Sequence, residues 1–190
     1  EPCTPIFSEG SPGAAVGADD AASASGELAV RRQEASLLNR RLDIGSIRRW
    51  DRKQRAWRPL VRGAEQVLVL QLWAVECAPC LAEMPLLRRV VQGWRSKPAV
   101  RFLFVSETLD QDVLTGYWVK QHASDVPDED PYQSTDSRLR DVLETGTQPV
   151  TLLLDRDLVI RQAFVGTVTE RVSELAAGIN RLLALPARAP

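Results

Sequence analysis

The sequence predicts an α/β domain in which helices pack on a mixed β-sheet. Three observations carry that reading. Val67-Leu68-Val69-Leu70-Gln71-Leu72 is an almost continuous apolar run, as expected for a strand buried on both faces. Directly after it, Leu81, Met84, Leu87, Val91 and Trp94 recur at three- and four-residue steps, the pattern of a helix with one apolar face. Near the C-terminus, two apolar segments, Val150–Leu154 and Leu158–Phe164, are joined by Asp155-Arg156-Asp157, a tight antiparallel connection.

Taken in order, residues 1–26 read as a disordered tail or tether, since Ala, Gly, Ser, Pro and Asp supply too little apolar bulk to offset the entropy of ordering. Residues 27–185 form one domain, and 186–190 are a short C-terminal tail. Ile47–Trp50, a polar turn and Trp57–Val61 predict an N-terminal β-hairpin. Val100–Val105 is a second strand; Val113, Leu114, Tyr117 and Trp118 mark a second helix. Residues 124–135, polar and Pro-containing, read as a loop, and Leu139, Val142 and Leu143 as a short helix. The last helix carries Val168, Val172, Leu175, Ile179, Leu182 and Leu183 on one stripe. Thr167-Val168-Thr169-Glu170 predicts a capping box at its start. The order is β-α-β-α, then β-β-α.

A chain of 190 residues with 44% apolar and 26% charged residues has the composition of a soluble globular domain that folds without staples. Its net charge of −1 does not point to nucleic acid. No apolar run approaches the length of a membrane span. The single histidine, His122, excludes sites that need two imidazoles, and it reads as solvated. Charge is uneven, however. Residues 31–62 hold eleven Arg or Lys against three acids, whereas 107–136 hold eight acids against one Lys. The plain reading of the basic segment is a solvated hairpin; an acidic partner, or contact with the acidic stretch, is the rival.

The chemistry concentrates in Leu72-Trp73-Ala74-Val75-Glu76-Cys77-Ala78-Pro79-Cys80. A Cys-x-x-Cys pair where a buried strand hands over to a helix puts the first cysteine at the helix N-terminus. Unpaired backbone N–H groups and the helix dipole there stabilise a thiolate, the form that attacks disulfides. Pro79 falls in the first turn, where its missing N–H is not needed. A structural zinc site would need two further ligands, and only Cys3 and His122 remain. A static bridge closing so short a loop removes little chain entropy. Redox chemistry is therefore the better reading, with no metal and no cofactor. Glu83, three residues after Cys80 on the same helix side, is placed to take or return a proton as Cys80 reacts; its plain alternative is a solvated surface glutamate.

Trp73-Ala74-x-x-Cys77-x-Pro79-Cys80 resembles the active site of the thioredoxin superfamily. Cys80-Leu81-Ala82-Glu83-Met84-Pro85 resembles the Cys-x-x-Glu-x-Pro continuation of its TlpA/ResA-like branch of extracytoplasmic thiol-disulfide oxidoreductases. Gly146-Thr147-Gln148-Pro149 resembles that branch's cis-proline loop, and Leu152–Asp155 and Val165-Gly166 follow its pattern. The span from Cys80 to Pro149 leaves room for the branch's central insertion, and the hairpin at 47–61 matches its added strands. The resemblance covers roughly 40–185.

It implies a thioredoxin-like fold and a protein thiol-disulfide oxidoreductase. By position, Cys77 is the attacking thiol and Cys80 the buried resolving thiol. Pro149 is a cis proline that presents Thr147 and Gln148 to an extended client segment, and Trp73 and Glu76 flank the site. The implied partners are protein clients and a membrane thiol reductase as electron donor. The implied location is periplasmic or otherwise extracytoplasmic, with a membrane tether through a removed N-terminal leader. Cys3 has no assigned role. Two departures set the direction. Gln71 stands where minimal thioredoxins carry a buried Asp, so a proton relay must run through Glu83 or water. Glu76 sits beside Cys77, and like charge disfavours its thiolate. With no His between the cysteines, a reductant or isomerase is expected rather than an oxidant. The rivals are a thiol peroxidase on the same scaffold, although the residues before Cys77 lack the Thr or Ser and Arg it needs, and a non-enzymatic binding module using residues 31–62.

Overall fold

The computed structural model describes residues 17–51, 54, 56–108, 110–122, 132–134, 139, 143–144 and 147–186. Helix α1 (Gly17–Leu37) leads to the hairpin β1 (Ile47–Asp51) and β2 (Ala56–Pro59). Then follow β3 (Val67–Trp73), α2 (Ala78–Trp94), β4 (Val100–Ser106), α3 (Gln111–His122) and β5 (Tyr132–Ser134). β6 (Val150–Leu154), β7 (Ile160–Val165), a 3-10 turn (Thr169–Arg171) and α4 (Val172–Leu183) complete the order.

Among the described residues the strands form one seven-stranded sheet in the order β2-β1-β5-β4-β3-β6-β7. β3 pairs parallel with β4 through α2, and antiparallel with β6. β3 is buried throughout because its alternate residues enter two cores. Leu68, Leu70 and Leu72 join Leu37 of α1 on one face, while Val67, Val69 and Trp73 join Met84 and Leu87 of α2 and Leu175 and Ile179 of α4 on the other. That two-sided burial is what the unbroken apolar run encodes. The mixed sheet flanked by helices is the predicted fold class.

Four local expectations are corrected. α1 begins at Gly17, so the second part of the stretch read as a tail is helical; residues 1–16 lie outside the described residues. Within the stretch read as a loop, Tyr132–Ser134 is a strand joining β1 to β4. Its tertiary pairing on both sides overrides a polar composition. The second C-terminal strand begins at Ile160 rather than Leu158. Leu158 takes φ 61° and donates its N–H to Asp155 O, which keeps it in the turn. The capping box is not formed: neither Val168 at the start of the 3-10 turn nor Arg171 at the start of α4 carries a side-chain cap. The Val168 N–H instead donates to Glu83, from another element. Of the short helix expected at 139–143, Leu139 and Leu143 are helical and buried, and Val142 lies outside the described residues.

Candidate active site

The C-terminal edge of β3 builds the site. Trp73 ends the strand, and a turn closed by Cys77 N–H donating to Ala74 O (3.1 Å) delivers Cys77 to the N-cap of α2. Cys77 is half-buried and Cys80, in the first turn, is 1% exposed. The two form a disulfide with their Cα atoms 5.2 Å apart. Cys77 Sγ also accepts from the Cys80 N–H at 3.2 Å, so one of the helix's unpaired donors points at the Cys77 sulfur. A thiolate at Sγ would receive that bond and the positive end of the helix dipole. Ala78 and Pro79 are exposed above the bridge.

Glu83 is buried, at 2% exposure, so the surface reading of this residue is overturned. Its Oε1 accepts from Val168 N–H at 2.7 Å, and its Oε2 has no hydrogen-bond partner among the described residues. Burial pushes its carboxyl above the ordinary value of 4.5, and the Val168 bond partly opposes that shift. Cys80 and Glu83 thus lie one helical turn apart on the buried side of α2.

The proline loop enters from β6. Val150 pairs with Leu72, which sets Pro149 at the same end of the sheet as the Trp73–Cys77 turn. The Gln148–Pro149 bond is cis, and Pro149 is buried, with its carbonyl accepting from Gly166 N–H at 2.9 Å. Thr147 is exposed and Gln148 half-buried; Thr145 and Gly146 lie outside the described residues. Trp73 is fully buried and tilts against Tyr117, ring centroids 5.1 Å apart. Gln71 is buried in the sheet, with its Oε1 accepting from the Thr151 hydroxyl. Cys3 and the His122 side chain lie outside the described residues.

Two further residues were not singled out by the sequence reading. The Thr108 hydroxyl accepts from Val75 N–H at 2.9 Å and donates to Glu76 Oε2 at 3.0 Å. Glu107 donates its N–H to Trp73 O at 2.8 Å, and its carboxylate accepts from the Gln148 amide. Glu107 and Thr108 therefore tie the cysteine turn and the proline loop to the end of β4. The signal was available: polar residues just beyond the carboxyl end of a strand flanking β3 fall where open α/β sheets place their sites.

No family model matches the chain, and no curated protein matches its sequence. Solved structures do match. A thioredoxin-like protein from Porphyromonas gingivalis superposes with TM-score 0.55 at 14% identity, covering 74% of this chain and 90% of its own. StoA from Bacillus subtilis gives 0.52 at 16%, covering 70% and 98%. A secreted thiol-disulfide isomerase from Corynebacterium glutamicum gives 0.51 at 18%, covering 63% and 72%. With its Cys-x-x-Cys bridge at the end of a central strand, this chain has a thioredoxin-like fold.

Proposed function

We propose that the chain is an extracytoplasmic protein thiol-disulfide oxidoreductase that works as a reductant. The observation that carries this reading is the asymmetry of the bridge: a half-buried Cys77 at the helix N-cap, and a buried Cys80 one turn later. In the reduced protein, Cys77 thiolate attacks a client disulfide. A Cys77–client bond forms, and the other client sulfur leaves as a thiolate that takes a proton from water. Cys80 then transfers its proton to Glu83 as its sulfur attacks Cys77 Sγ. The mixed disulfide breaks, the second client sulfur leaves as a thiolate that takes a proton from water, and the Cys77–Cys80 bridge closes. Two electrons pass to the client, and a thiol protein, which we take to be a membrane reductase, returns them. No metal or organic cofactor enters these steps.

Glu83 suits the proton transfer because burial keeps its proton affinity above that of an ordinary carboxylate. Thr147, Gln148 and Pro149 form the client-facing edge, and Gln148 is held by Glu107. Trp73 floors the site, and Glu76, fixed by Thr108, adds negative charge beside Cys77. Secretion of the Corynebacterium protein supports the extracytoplasmic placement.

Trapping tests the reading. Cys80→Ser, offered a protein disulfide, should accumulate a mixed disulfide through Cys77, because the resolving thiol is gone; Cys77→Ser should accumulate little. Faster alkylation of Cys80 than of Cys77 in the reduced protein would reverse the assignment. A chain that consumes peroxide with a single cysteine and traps no client would be a peroxidase.

A further inference from the structure

The redox chemistry leaves unused the ion pair between the buried Glu34 of α1 and the half-buried Arg171 of the 3-10 turn. Glu34 is 6% exposed. Its Oε1 accepts from Arg171 Nη1 at 2.6 Å and from Val165 N–H at 3.0 Å, and its Oε2 accepts from Arg171 Nη2 at 3.2 Å. Arg171 also donates to Glu174, and its guanidinium lies 4.6 Å over the Phe164 ring. Burial works against the charge on Arg171, but its two carboxylate partners more than offset it. One carboxylate thereby joins α1, the end of β7 and the turn before α4.

The segment held this way, 165–171, makes two contacts with the redox site. Gly166 N–H donates to Pro149 O at 2.9 Å, from a backbone at φ 86° that favours glycine. Val168 N–H donates to Glu83 Oε1 at 2.7 Å, and Val168 O in turn accepts from Arg171 N–H at 2.8 Å. A buried ion pair is a poor source of net stability, since apolar residues of similar volume often serve as well. It does fix geometry, and here the fixed groups serve both the proton acceptor and the proline loop.

We propose that Glu34, paired with Arg171, is a positioning residue for the redox reaction, acting through segment 165–171 to hold the Val168 N–H on Glu83 and the Gly166 N–H on Pro149. This rests on the reading of Glu83 as the proton acceptor for Cys80. A hydrogen bond to the ionised carboxylate favours that form, whereas burial disfavours it. If the segment drifts and the Val168 bond lengthens, burial acts alone, and Glu83 becomes a base only at higher pH. The other ionisable groups on the elements around Glu83 are Cys80, Arg88 and Arg89 on its own helix, Glu170 and Arg171 on the turn, and Glu174 and Arg181 on α4. The β3 residues Gln71 and Trp73, which face the same layer, do not titrate in this range.

The test is the pH profile of mixed-disulfide resolution in the full chain. Cys77 is first loaded with glutathione, and the rate at which Cys80 expels it is followed from acidic to neutral pH. In Glu34→Leu and Arg171→Met the midpoint of the profile should move to higher pH, with the alkaline plateau retained. Glu34→Gln keeps an amide oxygen for the Val165 N–H, so it should fall between them and the native chain; it also serves if Glu34→Leu does not fold. Leu103→Ala, in the core on the opposite sheet face, should lose stability and leave the midpoint in place. An unchanged midpoint in Glu34→Gln and Arg171→Met, with thermal stability lowered, would overturn the proposal and leave the pair a brace. Glu83→Gln separates the two levels. If it leaves the native midpoint in place, the proton-acceptor reading falls and the positioning role with it. If it abolishes the midpoint while the Glu34 variants do not move it, the positioning role alone falls.

Discussion

Burial of Glu83 ties the proposed proton transfer to stability. Below the ordinary carboxylate value of 4.5, Glu83 is protonated in both folded and unfolded chains and costs nothing. As pH rises through that value the unfolded chain releases the proton first. Above the raised folded-state value, the folded chain holds a buried anion. Its contribution to stability is therefore full in acid and lost as pH rises through the folded-state value. Glu83→Gln removes this slope while keeping an oxygen for the Val168 N–H. The variant should match the native chain near pH 4 and have a higher Tm at neutral pH, and it should resolve mixed disulfides more slowly. A series of thermal melts against pH checks the sign; a variant less stable at neutral pH would contradict the assignment. The spacing after Cys80 made Glu83 legible in the sequence as a candidate. Its burial was not legible, because the helix stripe read from Leu81, Met84 and Leu87 gives no sign that a carboxylate shares the buried side.

The loop after β4 acts as an element that braces both halves of the site. Ser106 Oγ accepts from Thr108 N–H at 3.1 Å, and Gln133 on β5 donates its amide to Thr108 O at 2.8 Å, so the loop is itself held from two sides. Thr108→Val keeps the shape and removes the hydroxyl, leaving the part-buried Val75 N–H without its acceptor. An unsatisfied donor of this kind costs about 1–3 kcal/mol. In a chain of this size each kcal/mol lowers Tm by roughly 2–4 °C. A melt of the oxidised protein measures it, and an unchanged Tm would show that Thr108 does not hold the turn. The position of Glu107 and Thr108 just past β4 was legible, but their bonds to the cysteine turn and the proline loop are tertiary, as is the pairing that makes β5. Tyr132–Ser134 is too short to show alternation, and only pairing with β1 and β4 makes it a strand. By contrast β3 and α2, long and strongly patterned, were read with nearly their observed bounds. The capping box failed because Val168, inside the turn that the sequence pattern would cap, finds its acceptor on α2, a tertiary contact that no local pattern announces.

At the scale of the whole molecule, the sheet brings three separate chain segments to one end: the Cys77 turn from β3, Glu107 and Thr108 from β4, and Pro149 from β6. α1 adds a fourth through Glu34, although its Ala- and Ser-rich first half reads as tether by composition. That arrangement supports a dithiol that closes and opens with its surroundings fixed. Its electrostatics bear on direction. The α2 dipole and the Cys80 N–H favour a Cys77 thiolate, whereas Glu76 places a carboxylate next to it and the motif carries no histidine. The less the thiolate is stabilised, the less oxidising the couple. A redox titration of the Cys77–Cys80 pair against a glutathione or dithiothreitol buffer tests this most directly. A reversible two-electron couple nearer thioredoxin's roughly −270 mV than the roughly −120 mV of strong oxidants is the predicted result. A potential above about −150 mV, or a bridge that does not exchange, would contradict the reductant reading.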